Sequence, residues 1–254
     1  GGAFGTLGGD FSSLSINSAG IGIYTSKEIT VTPASNFTVV KSKYLNNFTD
    51  DLKYNFNLNN LGIVLTYTPK KESVCKGIQF GFGVNRLNNY NANIFTEGQN
   101  DVNSIADEFL AKAQGIQPRN LDDFDAKLAF NTYLIDTLGG LTNYVSPVWM
   151  GKVLQSKSIM TSGSNNELVL TLGGNLNDKL LIGGTIGFPF ISYNENATYE
   201  ETDRGDSVAD FKKMQYNTFL NTQGSGFNFK LGVIYKITDW VRIGASFHTP
   251  SFYY

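Results

Sequence analysis

The chain has 254 residues, enough for one large all-β domain or two ordinary ones, and only 17% of them are charged. A net charge of −2 supplies no broad basic surface for nucleic acid, and no run approaches the roughly 18 apolar residues of a membrane helix. The single cysteine, Cys75, excludes an internal disulfide and a cysteine metal cluster.

Residues 1–24 are rich in Gly, Ser, Ala and Asn, with scattered Phe4, Phe11, Leu14 and Ile21 and no sustained period. Two readings stand: a flexible terminus, or an ordered plug held inside something larger. The interspersed apolar residues favour the plug, because a solvated tail carries more charge. From Glu28 to about Ser42, Ile29, Val31, Phe37 and Val39 alternate with Thr30, Thr32, Asn36 and Thr38. The Asn-rich residues 43–57 read as a loop. Leu61, Ile63, Leu65 and Tyr67, then Ile78, Phe80, Phe82 and Val84, continue a clean period of two, the signature of strands whose two faces differ.

The pattern changes between Tyr90 and Tyr144. Ser104 and Asp107 form a capping-box spacing ahead of Ile105, Phe109 and Leu110, and acids open a second helical spacing with Phe124 and Leu128. Two loop helices are predicted, over about 104–115 and 122–136. A hairpin follows: Leu168, Leu170 and Leu172, a turn at 175–179, then Leu180, Ile182, Ile186, Phe188 and Phe190. Residues 194–224 read as another long loop. Phe227, Phe229, Leu231, Val233 and Tyr235 precede a short turn, and Val241, Ile243, Ala245 and Phe247 close the series.

Seven strands emerge, joined by connections that alternate long and short. The face opposite the bulky residues carries glycine, threonine, Gln79, Asn85, Asn228, Lys230, Arg242 and His248. A protein core rejects such groups without partners. An antiparallel transmembrane β-barrel instead turns its bulky residues to lipid and its small and polar residues to the interior. The fold expected is therefore all-β: residues 1–26 as an N-terminal plug and 27–254 as barrel strands. An odd strand count implies about half of a longer barrel.

Gly2-Ala3-Phe4, Asp10-Phe11-Ser12 and Ile16-Asn17-Ser18-Ala19-Gly20-Ile21 resemble the plug-forming N-terminus of the FadL/OmpP1/TodX outer-membrane transport family, in its Bacteroidetes-type branch. Residues 175–187 and 237–253 are similar to its periplasmic turns and following strands. The resemblance implies a 14-stranded barrel in the outer membrane of a Gram-negative bacterium. It also implies a luminal hatch, with Phe4, Phe11, Leu14, Asn17, Ser18 and Ala19 as hatch and ligand residues. The implied function is passive uptake of hydrophobic compounds such as long-chain fatty acids, through a lateral gap beside a kinked third strand, where Gly81 and Gly83 fall. Glycine that simply packs small against the interior is the other reading of that pair. The family's Asn-Pro-Ala in the hatch is here Asn17-Ser18-Ala19, which removes a fixed φ and restores a donor.

The loop helices present Phe109, Leu110, Phe124 and Leu128 as an expected capture groove for apolar ligands. The partners expected are membrane lipids and hydrophobic small molecules, and no nucleic acid. In a second reading the chain is a non-transporting accessory subunit of an outer-membrane assembly or secretion complex, with other outer-membrane proteins as partners. No catalytic constellation is present, so neither an enzyme activity nor a cofactor or metal is expected. His248 is the only histidine and no G-x-S-x-G elbow precedes it. Asp122, Asp123 and Asp125 lack the Gly and distal Glu of a calcium loop, and the glycines at the N-terminus lack a following Lys-Ser/Thr.

Overall fold

A computed structural model describes residues 4–70, 73–148, 151–238 and 240–254. The chain begins with a short helix α1 (Phe4–Leu7) and two 3-10 turns, Phe11–Ser15 and Ser18–Ile23. It then builds β1 (Glu28–Tyr44), β2 (Asn47–Tyr67), β3 (Cys75–Asn89) and β4 (Ala92–Asn100). An excursion follows with α2 (Ile105–Ala113), α3 (Ala126–Asn131) and the two-residue strands β5 (Asp136–Thr137) and β6 (Tyr144–Val145). The chain ends in β7 (Val153–Leu176), β8 (Leu180–Thr202), β9 (Lys213–Lys236), β10 (Arg242–His248) and β11 (Phe252–Tyr253).

The protein is mostly antiparallel sheet, in the order β1-β2-β3-β7-β8-β9-β10. The sheet is open: β1 and β10 are its edges, and it does not close into a barrel. β4 continues the line of β3 along β7, and β11 continues that of β10 along β9. The ends of β2, β7 and β9 and the starts of β3, β8 and β10 lie at one end of the sheet, called here the turn end. The excursion and the long hairpin tips lie at the other. Asn177 and Asp178 take φ of 51° and 57°, the left-handed values that a tight hairpin turn needs and that Asn and Asp tolerate best.

Near the turn end the two faces differ as the alternation predicts. Ile29, Leu61, Ile63, Phe80, Phe82, Leu172, Ile182, Ile186, Phe229, Leu231 and Ile243 are exposed on one face. Gln79, Glu167, Thr171, Thr185, Asn228 and Lys230 are buried on the other, beneath the N-terminal segment. Leu168 and Leu170 are half-buried on the outer face. The outer face is thus bulky and apolar, while the inner face mixes these polar groups and glycine with the buried Val64, Val169, Leu181 and Ile234.

Two regions read as loops are strands. Residues 43–57 belong to the β1–β2 hairpin, whose turn is Leu45-Asn46. The outward residues change parity there, from Leu52, Tyr54, Phe56 and Leu58 to Leu61, Ile63 and Leu65. The cause is an extra β2 residue, Asn59: Thr32 pairs with Asn60 but Pro33 with Leu58. A bulge of one residue breaks a period-two pattern without breaking the strand. Of residues 194–224 only 203–212 are a loop; the rest are the outer halves of β8 and β9, paired from Asn194↔Asn221 to Thr202↔Lys213. Phe219 and Leu220 are adjacent and lie on opposite faces, and the other side chains are mostly polar, so the backbone ladder persists without a hydrophobic alternation.

The second loop helix is shorter than predicted. Asp125 caps it by accepting from Ala126 N–H, and Tyr133, at φ 60°, lies just beyond its end. The excursion nevertheless has a conventional core: Ala106, Phe109, Ala113, Leu121, Ala126, Ala129, Leu134, Ile135, Tyr144, Val148, Val153 and Phe211 are buried together. Among the described residues no helix is long and apolar enough to cross a membrane.

Candidate functional site

The N-terminal segment is ordered by its own caps. Asp10 accepts from Ser12 N–H at 3.2 Å, and Asn17 accepts from Ala19 N–H at 3.0 Å, each opening a 3-10 turn. These turns press Phe11, Leu14 and Ile21 onto the sheet, where all three are fully buried with Tyr24, Val64 and Val169. Complete burial of such side chains contributes about 1.5–3 kcal/mol each.

Glycine makes the close approach possible. A Cβ on Gly62 would stand 2.5 Å from Phe11 Cδ2, and one on Gly83 2.5 Å from Phe11 Cζ. A Cβ on Gly81 would stand 2.9 Å from Ile21 Cδ1. Gly183 lies beneath Ser18, and Gly232 beneath Asn17 and Ala19. Gly81 and Gly83 therefore seat the N-terminal segment, and the strand does not break at them. Their pairing is unbroken on both sides, Gly81 with Val64 and Thr171, Gly83 with Gly62 and Val169. The third strand is interrupted further on: its register against β7 shifts between Arg86 and Asn88, and Tyr90-Asn91 separate β3 from β4.

A polar line runs from the segment along the covered face. Ser18 Oγ lies 2.7 Å from Thr185 Oγ1, which lies 2.8 Å from Thr171 Oγ1. Beyond it, Lys230 Nζ sits 2.5 Å from Glu167 Oε2, and Asn228 Nδ2 donates to Glu167 Oε1 at 2.7 Å. Glu167 is fully buried and Lys230 nearly so, so each charge depends on the other. His248 Nε2 lies 3.0 Å from Ile16 O, a structural contact to the N-terminal segment.

At the far end of the sheet a fully buried carboxylate organises α2. Glu201 accepts from Ser104 Oγ at 2.5 Å, Ile105 N–H at 2.8 Å, Gln155 Nε2 at 2.8 Å and Tyr199 OH at 2.7 Å. Burial, and then the hydrogen bond to Glu201, push the Tyr199 hydroxyl well above the usual tyrosine range. Ser104 and Asp107 form the capping box that the sequence predicts. Lys112 bonds Asp125 at 2.7 Å and holds its carboxyl below the usual range.

Of the four predicted groove residues, Phe109 and Leu128 line one cleft of about 790 Å³, with Leu134, Phe211, Met214 and Tyr216. Leu110 packs at the edge of the lobe's core, and Phe124 is 81% exposed outside the cleft. Of the residues expected to form a hatch, Phe11, Leu14, Asn17, Ser18 and Ala19 are buried together against the sheet, whereas the side chain of Phe4 lies outside the described residues.

Glu167 and Glu201 are absent from any sequence reading of the site. Lys230 was legible as a cation on the small-residue face, but its partner lies 63 residues away, and only the register of β7, β8 and β9 brings them together. Among the described residues no group of His, Cys, Asp and Glu is placed to hold a metal ion. Comparison with protein-family models, with curated proteins and with solved structures finds no match to this chain.

Proposed function

We propose that this chain forms part of the wall and the plug of an outer-membrane β-barrel that passes hydrophobic compounds, long-chain fatty acids being the leading class. The observation that carries this reading is the reversal of burial: Ile63, Phe82, Ile186, Phe229 and Ile243 are exposed, while Gln79, Glu167, Thr185 and Lys230 are buried. Such a sheet is at a disadvantage in water and suited to hydrocarbon. In lipid an open edge leaves backbone groups unpaired, so in this reading further strands join β1 to β10, as in the 14-stranded barrel of FadL-like proteins. The plug and the cleft between α3 and the β8–β9 tip supply, respectively, a gate and an apolar surface for capture from outside.

Cells of the Gram-negative source lacking the protein are expected to take up labelled long-chain fatty acid more slowly than wild type, with restoration by the reintroduced gene. Equal uptake rejects the transport reading.

The accessory-subunit reading is favoured by one observation. On the β1–β2 hairpin the outward apolar face continues through Leu58, Phe56, Tyr54 and Leu52, all exposed. On β8 and β9 the corresponding face turns to Ser192 and Asn194, and to Ser225 and Gln223. A stable complex with a second outer-membrane protein, purified without loss of that partner from wild type and lost with Phe56→Asp, supports this reading.

A further inference from the structure

The outward face of the sheet is not bulky throughout. In the register of β3, β7, β8 and β9, Ile78, Gly174, Ile182 and Val233 stand in one row and Phe80, Leu172, Gly184 and Leu231 in the next. A glycine in each row lowers the wall. An apolar groove of about 550 Å³ runs over the two glycines, between Ile78, Leu172, Leu176, Ile182, Leu231 and Val233. A Cβ on Gly184 would meet Leu231 Cδ2 at 3.4 Å and Lys230 O at 3.9 Å, both ordinary contacts, so packing does not require glycine there. The groove reaches Cys75 and Leu176 at the turn end. Backbone bonds stitch the connections together at that point: Asn177 N–H donates to Val74 O and Lys236 N–H to Lys179 O, each at 2.8 Å. Lys76 and Lys179 are exposed there and Lys236 is half-buried. Among the described residues none of the three is in an ion pair. Asp178, beside them, accepts from Asn175 Nδ2 at 2.9 Å. In sequence these connections add Lys70 and Lys71 against Glu72 and Asp239, so they are net basic in a chain whose net charge is −2.

We propose that this groove holds an acyl chain of an anionic phospholipid, with the lipid's phosphate seated on Lys76 and Lys179. The inference rests on the proposed reading that this face meets hydrocarbon, and it specifies which membrane lipid the wall selects. A flat wall selects no lipid, because every chain slides over it equally. A recess lined on both sides holds one chain in place and buries more of its surface. Lysine is a compact point charge on a flexible stem, suited to a phosphodiester at the membrane surface. A zwitterionic headgroup carries its own ammonium, which the lysines repel. A lipid whose phosphate charge is not cancelled is therefore favoured. Cys75 and Leu176 line the groove one residue away from Lys76 and Asn177, so a single lipid spans the apolar recess and the basic mouth.

The test is equilibrium binding of labelled dioleoyl phosphatidylglycerol and dioleoyl phosphatidylcholine to the purified full-length protein in dodecyl maltoside at neutral pH. Wild type is expected to prefer the phosphatidylglycerol by about tenfold, the order that two lysines contribute at a headgroup. Lys76→Gln combined with Lys179→Gln is expected to erase that preference and to leave phosphatidylcholine binding unchanged. Gly184→Leu, which fills the groove, is expected to weaken both lipids alike. Glycerol phosphate, which has the charge without the chains, is expected to displace neither. No preference in wild type, an undiminished preference in the double variant, full-strength binding by Gly184→Leu or displacement by glycerol phosphate overturns the site. Insertion into phosphatidylcholine vesicles is measured on the same preparations. Wild type that inserts but fails the binding tests overturns the lipid site alone, and wild type that does not insert overturns the lipid-facing reading as well.

Discussion

The turn-end half of the sheet and the lobe at its far end follow opposite rules of burial. In the lobe Phe109, Ile135 and Val153 are hidden and Asp123 and Glu108 face solvent, as in any water-soluble domain. Near the turn end Phe229 and Ile186 are exposed, and Glu167 and Lys230 are buried. One chain builds both, and in the proposed reading the difference lies in the surroundings that each half is adapted to. Water outside selects an apolar interior, whereas hydrocarbon outside selects an apolar exterior and leaves the interior to glycine, hydroxyls and paired charges. The comparison also separates two ways of burying a carboxylate. Glu201 is held by uncharged hydrogen-bond donors, whereas Glu167 has a lysine as counter-charge and one amide donor.

The largest expected effects remove one buried group from each half. Phe109→Ala is expected to cost the lobe about 3–5 kcal/mol by leaving a cavity, read as faster hydrogen exchange in residues 105–113 with the rest of the sheet unchanged. Glu167→Gln leaves Lys230 buried without its counter-charge and is expected to cost about 3–5 kcal/mol in denaturant unfolding. A neutral result shows that water reaches the pair.

Phe229→Arg separates the two surroundings most directly. On a lipid face it is expected to cost about 2–4 kcal/mol in unfolding from bilayers. A neutral or stabilising result there removes the premise that this face meets hydrocarbon. Ser104→Ala, which removes the α2 cap and one donor to Glu201, is expected to cost about 1 kcal/mol, confined to the lobe.

The smallest effect is a pH dependence. Hydrogen bonds from Val208 N–H, then from Ser207 and Gly205, hold the Asp203 carboxyl below its ordinary value. Its contribution is therefore fully present above the unfolded pKa of about 3.9 and is lost as pH falls through the lower folded value. Exchange at amides 204–212 is expected to accelerate in that acid window in wild type and to be fast already at neutral pH in Asp203→Ala. The same pH profile in both rules out Asp203 as the cause.

Strand after strand, the division between Leu61, Phe80, Leu172, Ile186 and Phe229 on one side and Gln79, Thr171, Thr185 and Lys230 on the other was legible in the sequence, because a strand converts alternate positions into opposite faces. The α2 capping box was legible for a similar reason, since its partners are three residues apart. Residues 43–57 were not, because Asn59 adds one residue and reverses the parity. The outer reaches of β8 and β9 were not, because their sequence has no apolar face to alternate. The seat of Phe11 on Gly62 and Gly83, the Glu167–Lys230 pair and the Glu201 cluster were decided by tertiary structure alone. Each depends on the register between strands distant in sequence, and side-chain periodicity fixes which way a residue points but not which residue stands beside it.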